Sequence, residues 1–179
     1  MKTEYLSTQP SFDWAKFCSE TIVPGFEIEI PSSWAYKKSL LEYQVGSWLS
    51  WLGPLDVTGI RHIGVDVYLV ERSNLPHQAS LQEYVKYTCE QERIGIQLMF
   101  WRGEQNVSGI LSPEIKMHLR RTFAGKSGSV QLTLLKQWVV VPYQNYFVTI
   151  MFESPEKEYD HYVCVYNRAV QSWKFVALP

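Results

Sequence analysis

The chain contains 179 residues, of which 46% are hydrophobic and 15% aromatic, so it can bury the core of one globular domain and is not intrinsically disordered. Its formal net charge of -1 provides no overall field for a polyanion, which excludes nucleic acid as an expected partner. No stretch approaches the roughly 20 apolar residues that span a bilayer, so we expect no membrane span. The three cysteines lack the spacing of a zinc site or of a disulfide framework, which predicts a cytoplasmic protein.

The N-terminal region predicts a short helix. Trp14, Phe17 and Cys18 share one face of a helix that would begin after Ser11. Residues 1–24 are therefore predicted to form a helical extension.

The core is predicted to follow over residues 25–179. No repeat, low-complexity tract or long linker divides residues 1–179, so we expect a single domain. The first strand covers Phe26 to Ile30, where apolar side chains alternate with two glutamates until Pro31. A second strand is predicted from Leu40 to Val45.

Two tryptophans lie in the glycine-punctuated stretch GSWLSWLGPLDVTG, which predicts a loop or a bent sheet edge. Trp48 and Trp51 are three residues apart in this stretch. Large rings in a loop favour contact with a partner, whereas burial against the sheet is the alternative. We predict both residues as candidates for partner binding.

The middle of the chain predicts a strand, a helix and a second strand. Apolar residues alternate from Ile60 to Val70. The sequence SLQE then forms a capping box, in which Ser80 and Glu83 bind each other's backbone amides, so a helix is expected to run to about Glu92. The strand IGIQLMFW follows.

The segment EIKMHLRRTF fits both a strand and a helix, and the strand is favoured because an antiparallel hairpin of alternating residues follows it. In a strand, Lys116, His118 and Arg120 share the outer face with no acid among them. This cationic row is a second candidate for partner binding. The alternative is an edge protected by charge from further strand pairing.

The C-terminal segment predicts an amphipathic helix that closes the sheet. Ser154 is expected to cap it and Pro155 to occupy its first turn. One stripe holds large side chains at steps of three or four: Tyr159, Tyr162, Val163, Tyr166, Ala169, Val170 and Trp173. His161 and Cys164 lie beside the stripe and are predicted to be a surface residue and a small space-filling residue, rather than a nucleophilic or metal site.

Motifs that would identify an enzyme do not occur. RTFAGKSG lacks the first glycine of a phosphate-binding loop, and the sequence contains no Gly-x-Ser-x-Gly, His-Glu-x-x-His or dinucleotide-binding glycine pattern. We therefore predict no catalytic residues, no metal site and no cofactor.

Four pieces of the sequence together resemble the PsbP-like superfamily: FEIEIPSSW, IGVDVYLVERSNLPHQASLQEYVKY, QLTLLKQWVVVPYQNYFVTIMFES and the closing SWKF. This superfamily includes an extrinsic photosystem subunit, a Ran-binding nuclear import factor and the bacterial DcrB-like group, which is the nearest branch. The resemblance implies an α+β fold with an antiparallel β-sheet flanked by helices, an α/β/α sandwich. It also implies a docking role without catalytic residues.

Two hypotheses for function follow. The first is a non-catalytic adaptor or chaperone-like module that binds another protein, with a homodimer left open. The second is a small-ligand carrier or enzyme with a pocket between sheet and helix, near His161.

Overall fold

The computed structural model describes residues 10–19, 22, 24–41, 46–56, 59–75, 79–91, 96–125 and 128–176, without the side chains of 39–41, 96–102 and 124–125. In chain order its elements are β1 (Trp14–Ser19), β2 (Gly25–Pro31), β3 (Ala35–Leu41), β4 (Gly46–Leu52), β5 (Gly64–Glu71), α1 (Leu81–Gln91), β6 (Ile96–Val107), β7 (Ile110–Gly125), β8 (Gly128–Tyr143), β9 (Tyr146–Pro155), α2 (Tyr159–Ser172) and β10 (Lys174–Val176).

These strands form two antiparallel sheets. The large sheet has seven strands in the order β3-β4-β5-β9-β8-β7-β6, and the small sheet has three in the order β1-β2-β10. One face of the large sheet packs against α2 and the small sheet, and the other face packs against α1. The predicted α+β fold, an antiparallel sheet flanked by helices, is confirmed, and the small sheet joins α2 in one of the outer layers.

The prediction of a helix after Ser11 is wrong, because the segment forms strand β1. Phe17 lies opposite Ile28 of β2, and its ring packs against the core, whereas Trp14 and Cys18 are exposed. A short amphipathic segment fits both periods, and pairing with β2 decides between them. Residues 1–9 of the predicted helical extension lie outside the described part of the chain.

The predicted loop around the two tryptophans is also wrong. Gly46 to Leu52 form β4, which pairs with β3 on one side and β5 on the other. A Cβ at Gly46 would lie 2.3 Å from the carbonyl oxygen of Leu69, so this glycine permits a close approach of two strands. The strand predicted from Leu40 to Val45 begins earlier, at Ala35, and residues 42–45 are not described.

The remaining elements follow the predictions closely. The strand interpretation of EIKMHLRRTF is confirmed, since it lies within β7, and the hairpin of β8 and β9 follows. The capping box is confirmed: the amide of Ser80 donates to Glu83 at 2.7 Å, and the amide of Glu83 donates to the Ser80 hydroxyl at 3.3 Å.

The C-terminal helix closes the core as predicted, but its start is different. Strand β9 continues to Pro155, a 3-10 turn covers Glu156–Glu158, and α2 begins at Tyr159. Ser154 is not the cap, since it is buried and its hydroxyl donates to the carbonyl of Pro155. The predicted stripe is buried or partly buried in one core cluster.

Within the described residues, neither helix has the length and apolar run needed to cross a membrane.

Candidate functional site

The two tryptophans predicted for partner binding lie on opposite faces of the large sheet. Trp51 is 4% exposed and packs edge-on against Phe17, with ring centroids 5.0 Å apart. Trp48 is partly buried; its ring stacks on Tyr68, and its indole N–H donates to Asp66 at 2.9 Å. Trp51 is therefore a core residue, and the two rings do not form one surface.

The predicted cationic row on β7 does share one face, the face toward α2. Lys116 is only 9% exposed, and its ammonium lies 3.8 Å from the centroid of the Tyr159 ring. His118 Nδ1 lies 3.1 Å from a carboxylate oxygen of Glu156. The turn before α2 thus brings an acid against this row, a contact that the local sequence of β7 does not contain. Arg120 alone in the row is exposed.

His161 and Cys164 do not form a reactive pair. His161 is exposed, and the Cys164 thiol donates to the carbonyl of His161 at 3.6 Å, a contact within one turn of α2. Burial raises the pKa of the Cys164 thiol, which disfavours the thiolate that a nucleophile requires. The part of the chain that the structure describes contains no group of three His, Cys, Asp or Glu side chains arranged for a metal ion.

A charged cluster lies on the α1 face of the large sheet. The Lys136 ammonium is buried and lies 3.0 Å from Glu153, which also meets Arg121 at 3.2 Å. Burial raises the pKa of the nearby Asp66, whereas hydrogen bonds from Ser50 and Trp48 oppose that increase. The sequence signal for this cluster is the pair Lys136-Gln137, which interrupts an otherwise apolar run.

A cleft of about 460 Å³ lies where the end of α2 meets the outer side of β2. Lys16, Glu29, Ser108, Gln171, Ser172 and Lys174 contribute its polar lining. Both lysines bind Glu27, Lys16 at 2.7 Å and Lys174 at 3.4 Å. These contacts, the Lys16 hydrogen bond above all, lower the pKa of Glu27. His161, near which a pocket was predicted, is not part of this lining.

An exposed tyrosine and two exposed lysines lie together on the strand at one edge of the large sheet. Among the described strands β3 is terminal, and its residues Ala35 to Lys38 are exposed. Tyr36 is 45% exposed, yet its ring packs against the rings of Phe17 and Trp51, with centroid distances of 5.0 and 5.4 Å. We call Phe17, Tyr36, Lys37 and Lys38 the edge surface.

The chemistry of the edge surface suits recognition. Lys37 and Lys38 are exposed, and the phenol of Tyr36, whose pKa partial desolvation raises, can donate a hydrogen bond. The sequence prediction missed these residues because β3 was placed too late in the chain, at Leu40. It did identify Trp51, whose buried ring packs against the ring of Tyr36.

The comparisons with known proteins concern the fold. No protein-family model matches the sequence, and a search of curated proteins finds no match. Cyanobacterial PsbP (CyanoP) from Synechocystis has a similar structure at 10% identity and a TM-score of 0.53, covering 93% of this chain and 95% of that chain.

Two further solved structures are similar. LpqN of Mycobacterium tuberculosis, involved in cell envelope biogenesis, matches at 11% identity and a TM-score of 0.54, covering 92% of each chain. The Ran-binding protein Mog1p of Saccharomyces cerevisiae matches at 14% identity and a TM-score of 0.50, covering 92% of this chain and 97% of that chain. The chain therefore has the PsbP-like fold that the four sequence pieces predicted.

Proposed function

We propose that this protein is a non-catalytic adaptor or chaperone-like module that binds a protein partner through the edge surface. One observation carries the proposal: Tyr36 and two lysines are exposed on a terminal strand, directly in front of rings that are packed into the core.

The packing of Tyr36 makes it suitable as an anchor. Phe17 and Trp51 hold one side of its ring at centroid distances of 5.0 and 5.4 Å, so little side-chain freedom remains to be lost on binding. Tyrosine and tryptophan are enriched among residues that dominate interface energy, where truncation costs about 2 kcal/mol or more. The lysines beside it supply charge that guides an oppositely charged partner.

Two further observations support this proposal. The yeast protein Mog1p, whose fold is similar, is a Ran-binding protein, so a protein of this fold does bind another protein. The three cysteines are free, and Cys18 is exposed, which fits a reducing compartment such as the cytoplasm. A homodimer through the edge surface is not part of the proposal, because the lysines of two copies would oppose each other.

The test compares capture by wild-type protein with capture by Tyr36→Ala and Tyr87→Ala. Tyr87 is a matched control, since it is 44% exposed against 45% for Tyr36, and it lies on α1 rather than on the sheet edge. Each bait is first shown by circular dichroism and a urea melt to be folded. Partners in lysate are then fixed by crosslinking and quantified by mass spectrometry.

We expect a partner that is lost with Tyr36→Ala and kept with Tyr87→Ala. If the same proteins are recovered with all three baits, the edge surface is not the docking site. Trp51→Ala is unsuitable for this purpose, because that ring is buried and its removal would disturb the core.

One observation favours a second candidate, a carrier of small ligands: the cleft of about 460 Å³ lies between sheet and helix, and lysines border it. Ligand-observed NMR with a library of small carboxylates would detect binding. Gln171→Trp, which places a ring at the cleft, should abolish any true signal.

A further inference from the structure

We propose that β3 takes up an extended acidic segment of the partner as an additional strand of the large sheet. This inference rests on the function proposed above and names the chemistry of the partner. The segment would carry two neighbouring acidic residues followed by an apolar or aromatic residue, the order that antiparallel pairing with Tyr36, Lys37 and Lys38 requires.

The backbone of β3 provides the first argument. All seven of its residues pair antiparallel with β4, from Ala35 opposite Leu52 to Leu41 opposite Gly46. Among the strands that the structure describes, no other pairs with β3, so its second edge presents backbone donors and acceptors outward. Such an edge is a template for strand addition, in which main-chain hydrogen bonds supply affinity and side chains supply specificity.

The side chains of β3 determine which segment fits. Tyr36 and Lys38 belong to the α2 face of the sheet, because their partners on β4 are Trp51 and Leu49. Lys37 belongs to the α1 face, because its partner is Ser50. An incoming strand therefore meets a ring and then a cation on one face, and a cation on the other. Because adjacent residues of a strand point to opposite faces, two neighbouring acidic residues satisfy both lysines.

The charge of this edge favours an acidic partner over a second copy of the chain. Within the described part of the chain, neither Lys37 nor Lys38 forms an ion pair, in contrast to Lys16, which binds Glu27 at 2.7 Å. Pairing two β3 strands with each other would place lysines opposite lysines, which destabilises a sheet.

The two edges of the small sheet, β1 and β10, are less suited to this role. Strand β10 has only three residues. On β1, Lys16 is already bound to Glu27, and the exposed ring of Trp14 lies under Arg168 at 5.8 Å. Strand β3 therefore combines length, an exposed ring and cations that have no acidic partner among the described residues.

The experiment uses the full chain and a synthetic seven-residue peptide, matched to the length of β3. The peptide carries two glutamates followed by phenylalanine in a background of threonine and valine. One control peptide replaces both glutamates with lysine. A second control keeps the glutamates but carries N-methyl groups on alternate residues, which removes backbone donors while keeping the charge.

Two measurements report on binding. Fluorescence anisotropy of the labelled peptide gives the affinity, and hydrogen exchange followed by mass spectrometry gives the protection of residues 35–41. We expect the acidic peptide to bind and to protect this segment, and both controls to fail.

Charge variants of the protein complete the test. Lys37→Glu combined with Lys38→Glu should weaken the acidic peptide about 2- to 30-fold and favour the lysine peptide, as expected for two exposed ion pairs. Lys86→Glu combined with Lys157→Glu changes the net charge equally at exposed positions elsewhere and should leave the affinity unchanged.

Three results would overturn the inference: equal binding of the N-methylated peptide, no protection of residues 35–41, or a dimer that competes with the peptide at this edge. The proposed function fails separately. If Tyr36→Ala loses a captured partner that the acidic peptide does not displace, the edge surface binds protein but not by strand addition.

Discussion

Trp173 offers a sharp test of the core, because its indole closes the contact between α2 and the small sheet. It is 1% exposed, stacks on Phe26 with centroids 4.3 Å apart, and meets Phe175 edge-on at 5.7 Å. The perturbation is Trp173→Ala, with His161→Ala on the exposed side of α2 as the control.

The magnitude follows from burial and hydrogen bonding. A tryptophan buries about 150 to 250 Å², and its ring pairs add about 0.5 to 1.5 kcal/mol. At about 25 cal/mol per Å² the apolar contribution is about 4 to 6 kcal/mol, of which the remaining alanine methyl keeps a part. Within the described residues the Trp173 indole N–H has no hydrogen-bond partner, so its removal returns about 1 to 3 kcal/mol. The net expected loss is about 3 to 5 kcal/mol, the range usual for such truncations.

The assay is equilibrium urea unfolding of both variants and the wild type, monitored by circular dichroism. His161→Ala should remain within about 0.5 kcal/mol of the wild type, since its side chain is exposed. If Trp173→Ala costs less than His161→Ala, then α2 does not close the core and the packing argument is wrong.

Three further predictions concern the large sheet. Burial raises the pKa of Asp66 above its usual 3.8. The free energy of unfolding of the wild type, measured relative to Asp66→Asn, should therefore fall as the pH rises from about 3.8 through the folded-state pKa. Urea melts in which this difference grows with pH would contradict the prediction. Gly46→Ala should destabilise the fold, because its Cβ would lie 2.3 Å from the carbonyl oxygen of Leu69, and an unchanged melting temperature would refute that contact. Lys136→Met should destabilise the fold by up to about 3 kcal/mol, the low end for a broken buried pair, because Glu153 keeps Arg121 at 3.2 Å. The double variant with Glu153→Gln should recover much of the loss, and additive losses would show that the 3.0 Å pair is not coupled.

The spacing of apolar residues was sufficient to predict an element where a long segment has one clear period. The alternation around Val65 and Val67 predicted β5, and the stripe from Tyr159 to Trp173 predicted α2, because in both cases the inward side chains reach one core cluster. The start of α2 was misplaced because Ser154 and Pro155 also fit the end of a strand, and pairing of that strand with β8 decides the boundary.

The wrong predictions concern elements whose conformation is decided by strands distant in the sequence. β1 and β4 are short, and their strand conformation depends on pairing with β2, β3 and β5. Lys116 shares one face of β7 with His118 and Arg120 as the sequence predicted, but α2 covers that face, and the ring of Tyr159 lies over the Lys116 ammonium. Exposure of a side chain depends on what lies over it, which local sequence does not contain.

Most of the tryptophans whose side chains the structure describes belong to the core. Trp34, Trp51, Trp138 and Trp173 are buried and fill the two core clusters rather than a binding surface. Composition therefore cannot locate a binding surface in this protein, and the exposed rings must be considered individually.

Tyr36 and Tyr87 are exposed almost equally, at 45% and 44%, yet their surroundings differ. Tyr87 lies on a helix, whose backbone donors and acceptors are paired within the helix itself, and its ring lies 6.4 Å from Tyr84. Tyr36 lies on a terminal strand, between packed rings and exposed lysines. An incoming chain can therefore combine main-chain hydrogen bonds, a ring contact and ion pairs at Tyr36, whereas Tyr87 offers little beyond its ring, and this difference is why the edge surface is the stronger candidate.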